Sequence, residues 1–470
     1  MNTSGKSFLI DCLVTEACER YYEKNNAKGY ILIVAPTGKA ALQAGGFTIQ
    51  SNRGLQTPVS NQSNYEKNIL SGRKLQDFQK RLNYQGKGSP DPNDEHIIGL
   101  VMDEYSMISS EHFFWCSHRV QQGIGSDSAD NFGNLPTIIF GDPGQLAPIG
   151  GSSIWSTTNG TGRPLRILAK RGHQMYMSIN TVMCLTYVRR QTGFFREFLL
   201  RLRNGVNTED DWQRLNTDCS TDGMSPEKLY SFEDMNTTFL YPTNAQCIEK
   251  NYERLISLQR PILLLCATHD EVQSESKPAD LAQNLVKEMY TCVGAKTMLL
   301  RNLALSSGLV NGSTGTIIDF VFTNTVPPAI PAFVIIDFAT YTGPAFFKDE
   351  GRKTWVPLPP STAEWYGDQS VTHSRTQFPI QLAWALTTWK AQGMTISGQV
   401  FAPFAESEKS SGLSYVALSR LTEWNNLCIG KSIPLDRLTT KIRNCKGLLP
   451  RINEDNRLRD LCNSTKLFFE

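Results

Sequence analysis

The sequence predicts an α/β fold: a parallel sheet covered on both faces, a second α/β unit, and a small β-barrel inserted in that second unit. Short, wholly apolar strands that alternate with helical patterns favour the parallel sheet. Polar residues follow several of these strands directly, as at the binding edge of such sheets. Between residues 303 and 374, short strands lie among Gly and Pro turns, a composition typical of a small barrel.

Composition narrows the class of protein. The chain has 470 residues, of which 40% are apolar and 20% charged, so it can bury several substantial cores. Its 47 basic and 45 acidic residues leave a net charge of +2. This excludes a nucleic-acid-binding protein whose whole surface is basic, but not one with a local basic groove. The 11 cysteines are scattered without a C-x-x-C, and no apolar run is long enough to span a bilayer. We expect an intracellular protein without a membrane segment.

The elements follow in order along the chain. Apolar residues recur at helical spacing from Lys6 to about Tyr22 and predict a first helix. A second helix is predicted at 39–44. The predicted buried strands of this part are 30–35, 97–102 and 137–140.

Beyond and between these elements, the pattern changes. Residues 52–94 are polar and without strong periodicity, which predicts an inserted subdomain or a long loop. A second α/β unit is predicted from about Cys184, with strands near 238–241 and 398–402. The tail from Pro434 is mixed and charged, and we expect it to form a solvated helix.

Gly5-Lys6-Ser7 stands directly before the first predicted helix. This is the second half of a phosphate-binding P-loop, in which backbone N–H groups surround phosphate oxygens, the lysine reaches the β and γ phosphates, and the serine binds Mg²⁺. The complete pattern requires a glycine one residue before Met1. Alone, the tripeptide is explained as well by chance, so its assignment depends on the motifs that follow.

Two acids end the second apolar strand. Asp103 is suited to hold Mg²⁺, and Glu104 is suited to accept a proton from an attacking water. Solvated carboxylates at a strand exit are the alternative explanation.

Three further residues are candidates to sense or stabilise a γ-phosphate. Gln145 lies in Gly-Asp-Pro-Gly-Gln after the third strand, where a simple turn is the alternative. Arg190 and Arg420 are candidate arginine fingers, which stabilise the charge on a transferring phosphoryl group. Otherwise Arg190 is one member of a basic stretch, and Arg420 forms a salt bridge at the end of a helix.

Together these segments resemble a superfamily-one helicase. The first four are Gly5-Lys6-Ser7, Ala35-Pro36-Thr37-Gly38-Lys39-Ala40-Ala41, Met102-Asp103-Glu104-Tyr105-Ser106-Met107 and Gly141-Asp142 to Pro148. Later segments resemble the Pif-one family of DNA helicases. They are Arg190-Gln191, 293–302, 308–315, 383–395 and Tyr415-Val416-Ala417-Leu418-Ser419-Arg420.

The resemblance implies two RecA-like domains with ATP between them, and translocation from 5′ to 3′ along single-stranded DNA with unwinding of duplex or structured DNA. It implies ATP and Mg²⁺ as cofactors, with single-stranded and duplex DNA as partners. By position, the nucleotide contacts are Gly5, Lys6, Ser7, Asp103, Gln392 and Gly393, with Ser7 and Asp103 on the metal. Glu104, Gln145, Arg190 and Arg420 are the catalytic candidates, and the DNA contacts are Thr37, Gly38, Lys39, Thr387, Trp389 and Lys390.

The resemblance also implies a domain plan. The first RecA-like domain is expected at 1–183, with a wedge-like insertion for strand separation at 52–94. The second is expected at 184–302 and 375–433, interrupted by the β-barrel insert at 303–374 and followed by a tail at 434–470. We expect a monomer that serves genome maintenance (replication, repair, recombination or telomeres) in the nucleus, with the mitochondrion as the alternative.

The chain departs from the family pattern at its start. Asn2-Thr3 stand where the family has small residues and a glycine, so the chain resembles a copy truncated within the P-loop. The hypothesis is an incomplete gene model or a decayed copy. An inactive relic that binds single-stranded DNA without ATP is therefore an alternative to the helicase. A small-molecule P-loop kinase is a second alternative, disfavoured by Gln145 and Arg420.

Overall fold

The computed structural model describes residues 5–50, 52, 54–55, 70–82, 96–125, 130–158, 163–270, 272–279, 281–323, 330–366 and 372–465. The chain forms two compact units. Unit 1 comprises Met1–Gly223, Thr395–Ser397 and Phe404–Glu470, and unit 2 comprises Met224–Met394 and Gly398–Pro403.

Helices occur along the whole described chain. They are α1 (Lys6–Asn25), α2 (Gly38–Gln43), α3 (Gly72–Leu82), α4 (Ser110–Ile124), α5 (Ile167–Met177), α6 (Gly193–Asn204), α7 (Glu209–Cys219), α8 (Pro226–Ser231), α9 (Asn244–Ser257), α10 (Val272–Glu275), α11 (Thr388–Ala391), α12 (Leu413–Leu418), α13 (Leu435–Leu438), α14 (Thr440–Arg443) and α15 (Leu448–Ser464).

The strands of unit 1 come mainly before residue 140, and those of unit 2 lie between 238 and 401. They are β1 (Gly29–Ala35), β2 (Phe47–Thr48), β3 (His96–Met102), β4 (Thr137–Ile139), β5 (Thr238–Tyr241), β6 (Leu263–Cys266), β7 (Thr268–His269), β8 (Glu288–Thr291), β9 (Lys296–Leu299), β10 (Thr314–Val321), β11 (Phe333–Asp337), β12 (Trp355–Leu358), β13 (Ser361–Tyr366), β14 (Thr372–Gln377), β15 (Ile380–Leu382), β16 (Ala385–Thr387), β17 (Val400–Phe401) and β18 (Leu427–Cys428).

The sheet of unit 1 is parallel, in the order β2-β1-β3-β4. Successive residues of β1 enter different cores: Leu32 and Val34 join the cluster that contains α4 and α5 residues, whereas Ile33 joins a cluster with Ile10 of α1. Because side chains alternate along a strand, this shows that both faces of the sheet are covered. The predicted parallel sheet is confirmed, and all three predicted strands are present.

The first helix begins and ends close to its predicted limits. The buried Ile10 and the half-buried Val14 of α1 pack with Ile33 and Val101 of the sheet. The apolar stripe that predicts the helix, Leu9, Leu13, Ala17 and Tyr21, is only half-buried. The helix is therefore confirmed, but its buried face lies one position further along the chain. α1 ends at Asn25 and is capped by Asn26, whose left-handed conformation closes the last turn.

The predicted insertion at 52–94 lies partly outside the described residues. Its described part contains α3, whose buried Phe78 joins the core of unit 1. The aromatic residues of the insertion are expected to form a local core, with stacking on bases as the alternative, and the Phe78 ring packs with apolar neighbours in the core. Tyr65 and Tyr84 lie outside the described residues, and the wedge stays a prediction.

Unit 2 combines parallel and antiparallel strands. β5 pairs in parallel with β16 and with β17, which confirms the strands predicted near 238–241 and 398–402. The described residues of unit 2 also form three antiparallel sheets, with the orders β12-β11-β10-β9-β15, β13-β14-β7 and β6-β8. The five-stranded sheet extends beyond the predicted insert at 303–374, because its strand β9 precedes the insert in sequence and its strand β15 follows it.

The compact units and the predicted domains divide the chain differently. Arg190 and Arg420 were expected in the second RecA-like domain, and both lie in unit 1 together with Lys6. The predicted domain boundaries, with the ATP cleft between the two domains, stay predictions.

The expected solvated tail is wrong. Residues after Pro434 form α13, α14 and α15, which bury Leu438, Ile442 and Leu448 in unit 1. The mixed charges that suggested a solvated helix are used in pairs: Arg437 of α13 lies 2.9 Å from the Glu408 carboxylate, and both side chains are at most 3% exposed. Within the described ranges, no helix has the length and apolar character needed to cross a bilayer.

The pair Arg437–Glu408 provides a test of the tail's packing. Arg437→Leu leaves the Glu408 carboxylate buried without its cation, which should destabilise unit 1 by about 3–5 kcal/mol. We expect a clearly lower urea midpoint of unfolding. The control is Arg20→Ala, which breaks an exposed Arg20–Glu16 pair (77% and 57% exposed) and should cost only about 0.5 kcal/mol. Equal midpoints for the two variants would contradict a packed tail.

Candidate active site

The predicted phosphate-binding residues begin α1. Gly5 caps the helix in a left-handed conformation (φ 71°), which glycine adopts without steric cost. Lys6 and Ser7 form the first turn, where unpaired backbone N–H groups attract anions. Ser7 is buried. This end of α1 thus combines backbone donors, a cation and a hydroxyl.

The two predicted acids lie at the end of β3 and meet Lys6. The Lys6 Nζ is 2.7 Å from Asp103 Oδ1 and 2.8 Å from Glu104 Oε1. All three side chains are largely buried, so the pairing acts in a medium of low dielectric constant. Residues 97 or more positions apart in sequence are therefore joined in one charged cluster, as the predicted site requires.

Glu104 has an unusual backbone. Its φ of 53° and ψ of 46° lie in the left-handed region, which costs a non-glycine residue energy and is common at functional sites. Its N–H donates to Asp103 Oδ1 at 2.8 Å, and the short 3-10 helix Tyr105–Met107 follows. This turn directs both carboxylates toward the same lysine.

The net effect of burial and neighbouring charges raises the pKa values of both Lys6 and Asp103, but by different balances of the two effects. Burial works to lower the pKa of Lys6, but the charges of Glu104 and Asp103 outweigh it and raise that pKa above its ordinary value. Burial raises the pKa of Asp103, and the adjacent Glu104 adds to this against the effect of Lys6. One ammonium thus serves two carboxylates, which leaves an excess of negative charge.

This excess of acceptors suits the implied Mg²⁺. The Glu104 Oε2 atom is buried and has no hydrogen-bond partner among the described residues. Ser7 and Asp103 supply the oxygen ligands that Mg²⁺ prefers. In the part of the chain that the structure describes, no group of three or more His, Cys, Asp or Glu could hold a metal.

The two predicted arginine fingers lie close to each other in unit 1, where Arg420 is buried and Arg190 is half-buried. Arg190 Nη1 donates to the Ser419 carbonyl at 2.8 Å, and Arg420 donates to the Val416 carbonyl at 3.0 Å. Burial and the neighbouring charge of Arg420 lower the pKa of Arg190 to about 10. Burial also lowers the pKa of Arg420, against the attraction of Glu104. Two neighbouring guanidinium groups shielded from water are the arrangement expected where an anion binds.

Gln191 is a residue of this cluster to which the sequence assigned no role. Its buried side chain donates to the carbonyl oxygens of Ser419 (3.1 Å) and Leu421 (2.5 Å), on either side of Arg420. The amide therefore fixes the backbone that carries the finger. The sequence could have indicated this role, because Gln191 stands beside Arg190 in the same motif.

Gln145 lies in a tight turn after β4. The Gln145 N–H donates to the Asp142 carbonyl at 3.0 Å, and the Gly144 N–H donates to the Asp142 carboxylate at 2.8 Å. The predicted turn is present and contains Gln145, so the turn does not exclude a role for Gln145 as a sensor. Its contact with a phosphate stays a prediction.

The first group of predicted DNA contacts caps α2 in unit 1. The Thr37 hydroxyl accepts the N–H of Ala40 at 3.3 Å, and Gly38 and Lys39 begin the helix. Burial lowers the pKa of Lys39 to about 8. The charge of the Lys39 side chain therefore changes with pH in mildly basic solution.

The second group lies in unit 2. Thr387 ends β16 and caps α11, where its hydroxyl accepts the Lys390 N–H at 3.4 Å. Trp389 is half-buried, and the Lys390 Nζ donates to Gln381 at 2.7 Å. Gln392 and Gly393 are buried directly after the helix, and Gly393 has a φ of 80°. The nucleotide contact of these last two residues stays a prediction.

Comparison with known proteins shows which proteins this chain resembles. Residues 286–320 match the family model of the DNA helicase Pif1, 2B domain. The ATP-dependent DNA helicase PIF1 of Xenopus laevis is 28% identical over 335 residues, which cover 68% of this chain and 44% of that protein. This chain therefore spans less than half the length of that relative.

Solved structures support the same relationship. Pif1 helicase from Candida albicans superposes with a TM-score of 0.67 at 20% identity, over 97% of this chain and 94% of the other. Pif1 from Bacteroides in complex with ADP-AlF3 and single-stranded DNA gives 0.63 at 20% identity, over 92% and 87%. The resemblance to Pif1 helicases is confirmed. The chain has the Pif1 fold, with its RecA-like parallel sheets and antiparallel additions.

The lysine between the two acids can be tested without nucleotide. Lys6→Met leaves adjacent buried carboxylates without a cation, which should cost about 3 kcal/mol of stability near pH 8. One carboxyl then binds a proton more tightly in the folded than in the unfolded chain. Stability is therefore regained as the pH falls.

We expect the deficit in melting temperature of Lys6→Met against the wild type to shrink between about pH 8 and about pH 5. The exposed Lys24 ends the same helix, and Lys24→Met is the matched control. A deficit independent of pH would contradict the shared charge cluster.

Proposed function

We propose that this chain is an ATP-dependent DNA helicase. The observation that carries the proposal is the Lys6 ammonium, which contacts both Asp103 and Glu104 in the unit that also contains Arg190 and Arg420. This combination of a phosphate-binding cation, two acids and two guanidinium groups fits phosphoryl transfer. The PIF1 relative is itself named an ATP-dependent DNA helicase.

Each residue has a role in the proposed hydrolysis. Lys6 leaves the carboxylates to bind the β and γ phosphates of ATP, with the N–H groups at the start of α1. Glu104 accepts the proton of the attacking water, for which its Oε2 atom is free of hydrogen bonds within the described chain. Gln145 orients that water or the γ-phosphate, and Arg190 and Arg420 stabilise its charge.

Mg²⁺, when bound by Ser7 and Asp103, would neutralise developing phosphate charge. The positive charge of the ion would also compensate for the two adjacent carboxylates once the Lys6 ammonium binds phosphate instead of them. The donor set is in keeping with this, since one ammonium serves both acids.

Single-stranded DNA is the proposed track. Lys39 and Lys390 would contact phosphates, and the half-buried Trp389 would stack on a base. We propose 5′-to-3′ translocation, with ATP turnover driving alternate grip by the two RecA-like domains. Duplex unwinding in replication, repair, recombination or telomere maintenance would follow, in a nuclear or mitochondrial setting.

The central test is ATPase activity of the 470-residue chain with and without single-stranded DNA. We expect turnover that DNA stimulates. Glu104→Gln should bind ATP but fail to hydrolyse it, and Arg420→Ala should keep nucleotide affinity while turnover falls by about 10³-fold. Unchanged turnover in either variant would remove that residue's role.

The same assay separates the alternatives. Binding of single-stranded DNA without any nucleotide binding would identify an inactive relic and overturn the helicase. ATPase activity that DNA does not affect would instead support a small-molecule kinase.

Lys39 makes a prediction for DNA affinity. Its pKa of about 8 means that part of the population is neutral in mildly basic solution, and a phosphate contact requires the charged form. Affinity for a fluorescent oligothymidylate should therefore fall between about pH 7 and about pH 9, by up to about tenfold per pH unit.

Lys39→Arg is the matched variant, because a guanidinium stays charged throughout this range. We expect its affinity to be nearly independent of pH. An equal pH dependence in both proteins would show that Lys39 does not contact DNA phosphate.

A further inference from the structure

The Arg203 guanidinium lies between two carboxylates of unit 1. Its Nη1 and Nη2 atoms bind Asp455 of α15 at 2.6 and 2.7 Å, and Nη2 also lies 2.6 Å from Asp142 Oδ1. The Arg203 and Asp455 side chains are each only 12% exposed. A bidentate, shielded pair of this kind fixes direction as well as distance.

Asp142 connects this pair to the turn that carries Gln145. Its Oδ1 atom also accepts the Gly144 N–H, and its Oδ2 atom accepts the Tyr415 hydroxyl at 3.3 Å. Tyr415 belongs to α12, the helix after which Arg420 follows, and Arg420 donates to Val416 of that helix. Contacts thus run without a break from α15 to the candidate finger.

The turn is closely packed against its neighbours. A side-chain carbon at Gly144 would collide with the Arg203 guanidinium, and one at Gly412 would lie 2.6 Å from the Gly144 carbonyl oxygen. Arg451 of α15 donates to the same carbonyl at 3.4 Å. The turn is therefore held from α6, α12 and α15 together.

Charges keep the network in one protonation state. Burial works to raise the pKa of Asp142, but Arg203 outweighs it and holds that pKa below its ordinary value. Burial, together with Asp142, raises the pKa of Tyr415 to about 12, so its hydroxyl remains a donor at neutral pH. Arg203 and Arg451 balance Asp142 and Asp455 in formal charge.

We propose that Arg203 and Tyr415 are positioning residues, which hold the 141–145 turn against α12 so that Gln145 and Arg420 act on the same γ-phosphate. Asp455 completes the arrangement by fixing the Arg203 guanidinium. The catalytic part rests on the proposed ATPase function, whereas the holding of the turn does not. The C-terminal helix thereby serves the active site without contacting substrate.

Two mild variants test the proposal. Tyr415→Phe removes only the hydroxyl that meets Asp142, and Asp455→Asn removes one charge from Arg203 at nearly constant volume. We expect kcat for ATP to fall by about tenfold or more, because misplaced catalytic groups lose rate steeply. The Kd for ATP should change by less than about twofold, because Lys6 and α1 are untouched. Tyr230→Phe, at an 80% exposed residue, is the control.

A double-variant cycle separates positioning from general destabilisation. If Tyr415 acts through Gln145, adding Tyr415→Phe to Gln145→Ala should cost much less than Tyr415→Phe costs alone. Fully additive losses in kcat would overturn the proposal, as would an unchanged kcat in both single variants.

Hydrogen exchange distinguishes this proposal from the proposed function. In Tyr415→Phe and Asp455→Asn, amides of 141–146 should exchange faster while those of α1 stay unchanged. If the wild-type chain has no ATPase activity but the two variants show this local exchange response, the proposed helicase function is overturned and the positioning of the turn is supported. Unchanged exchange at 141–146 would overturn the held turn whatever the turnover.

Discussion

The Lys6 ammonium joins the beginning of α1 to the end of β3, and the remainder of the candidate site is arranged around that contact. It neutralises part of the charge that two adjacent buried carboxylates would otherwise impose on the core. Because Glu104 takes a left-handed backbone, both acids face the same cation.

Around that contact, unit 1 uses charge for packing. Arg437 pairs with Glu408, Arg203 bridges Asp142 and Asp455, and buried Gln191 supports the carbonyls beside Arg420. Each charged side chain in these pairs meets an opposite charge or a carbonyl, which makes its burial affordable in free energy. The C-terminal helices are therefore part of the unit's interior rather than an appendage.

Unit 2 presents a different chemistry. Its parallel strands β5, β16 and β17 lead to the Thr387-capped turn with Trp389 and Lys390, and its antiparallel sheets bury an apolar core of their own. The match to the Pif1 2B domain covers β8, β9 and most of β10 of this region. A cation and an aromatic ring side by side at a helix start are suited to a single nucleic-acid strand.

Local patterns in the sequence determined α1, α2 and the strands β1, β3 and β4 of unit 1, since features such as the uninterrupted apolar run of β3 depend only on neighbouring residues. They also determined that Lys6, Asp103, Glu104 and Gln145 stand at element ends. The tertiary structure alone decided which charges meet: Arg203 with Asp142 and Asp455, Gln191 with the carbonyls around Arg420, and the tail with the core. The reason is physical, because ion pairing between distant segments depends on strand order and helix docking, and neither is encoded in the spacing of residues along the chain.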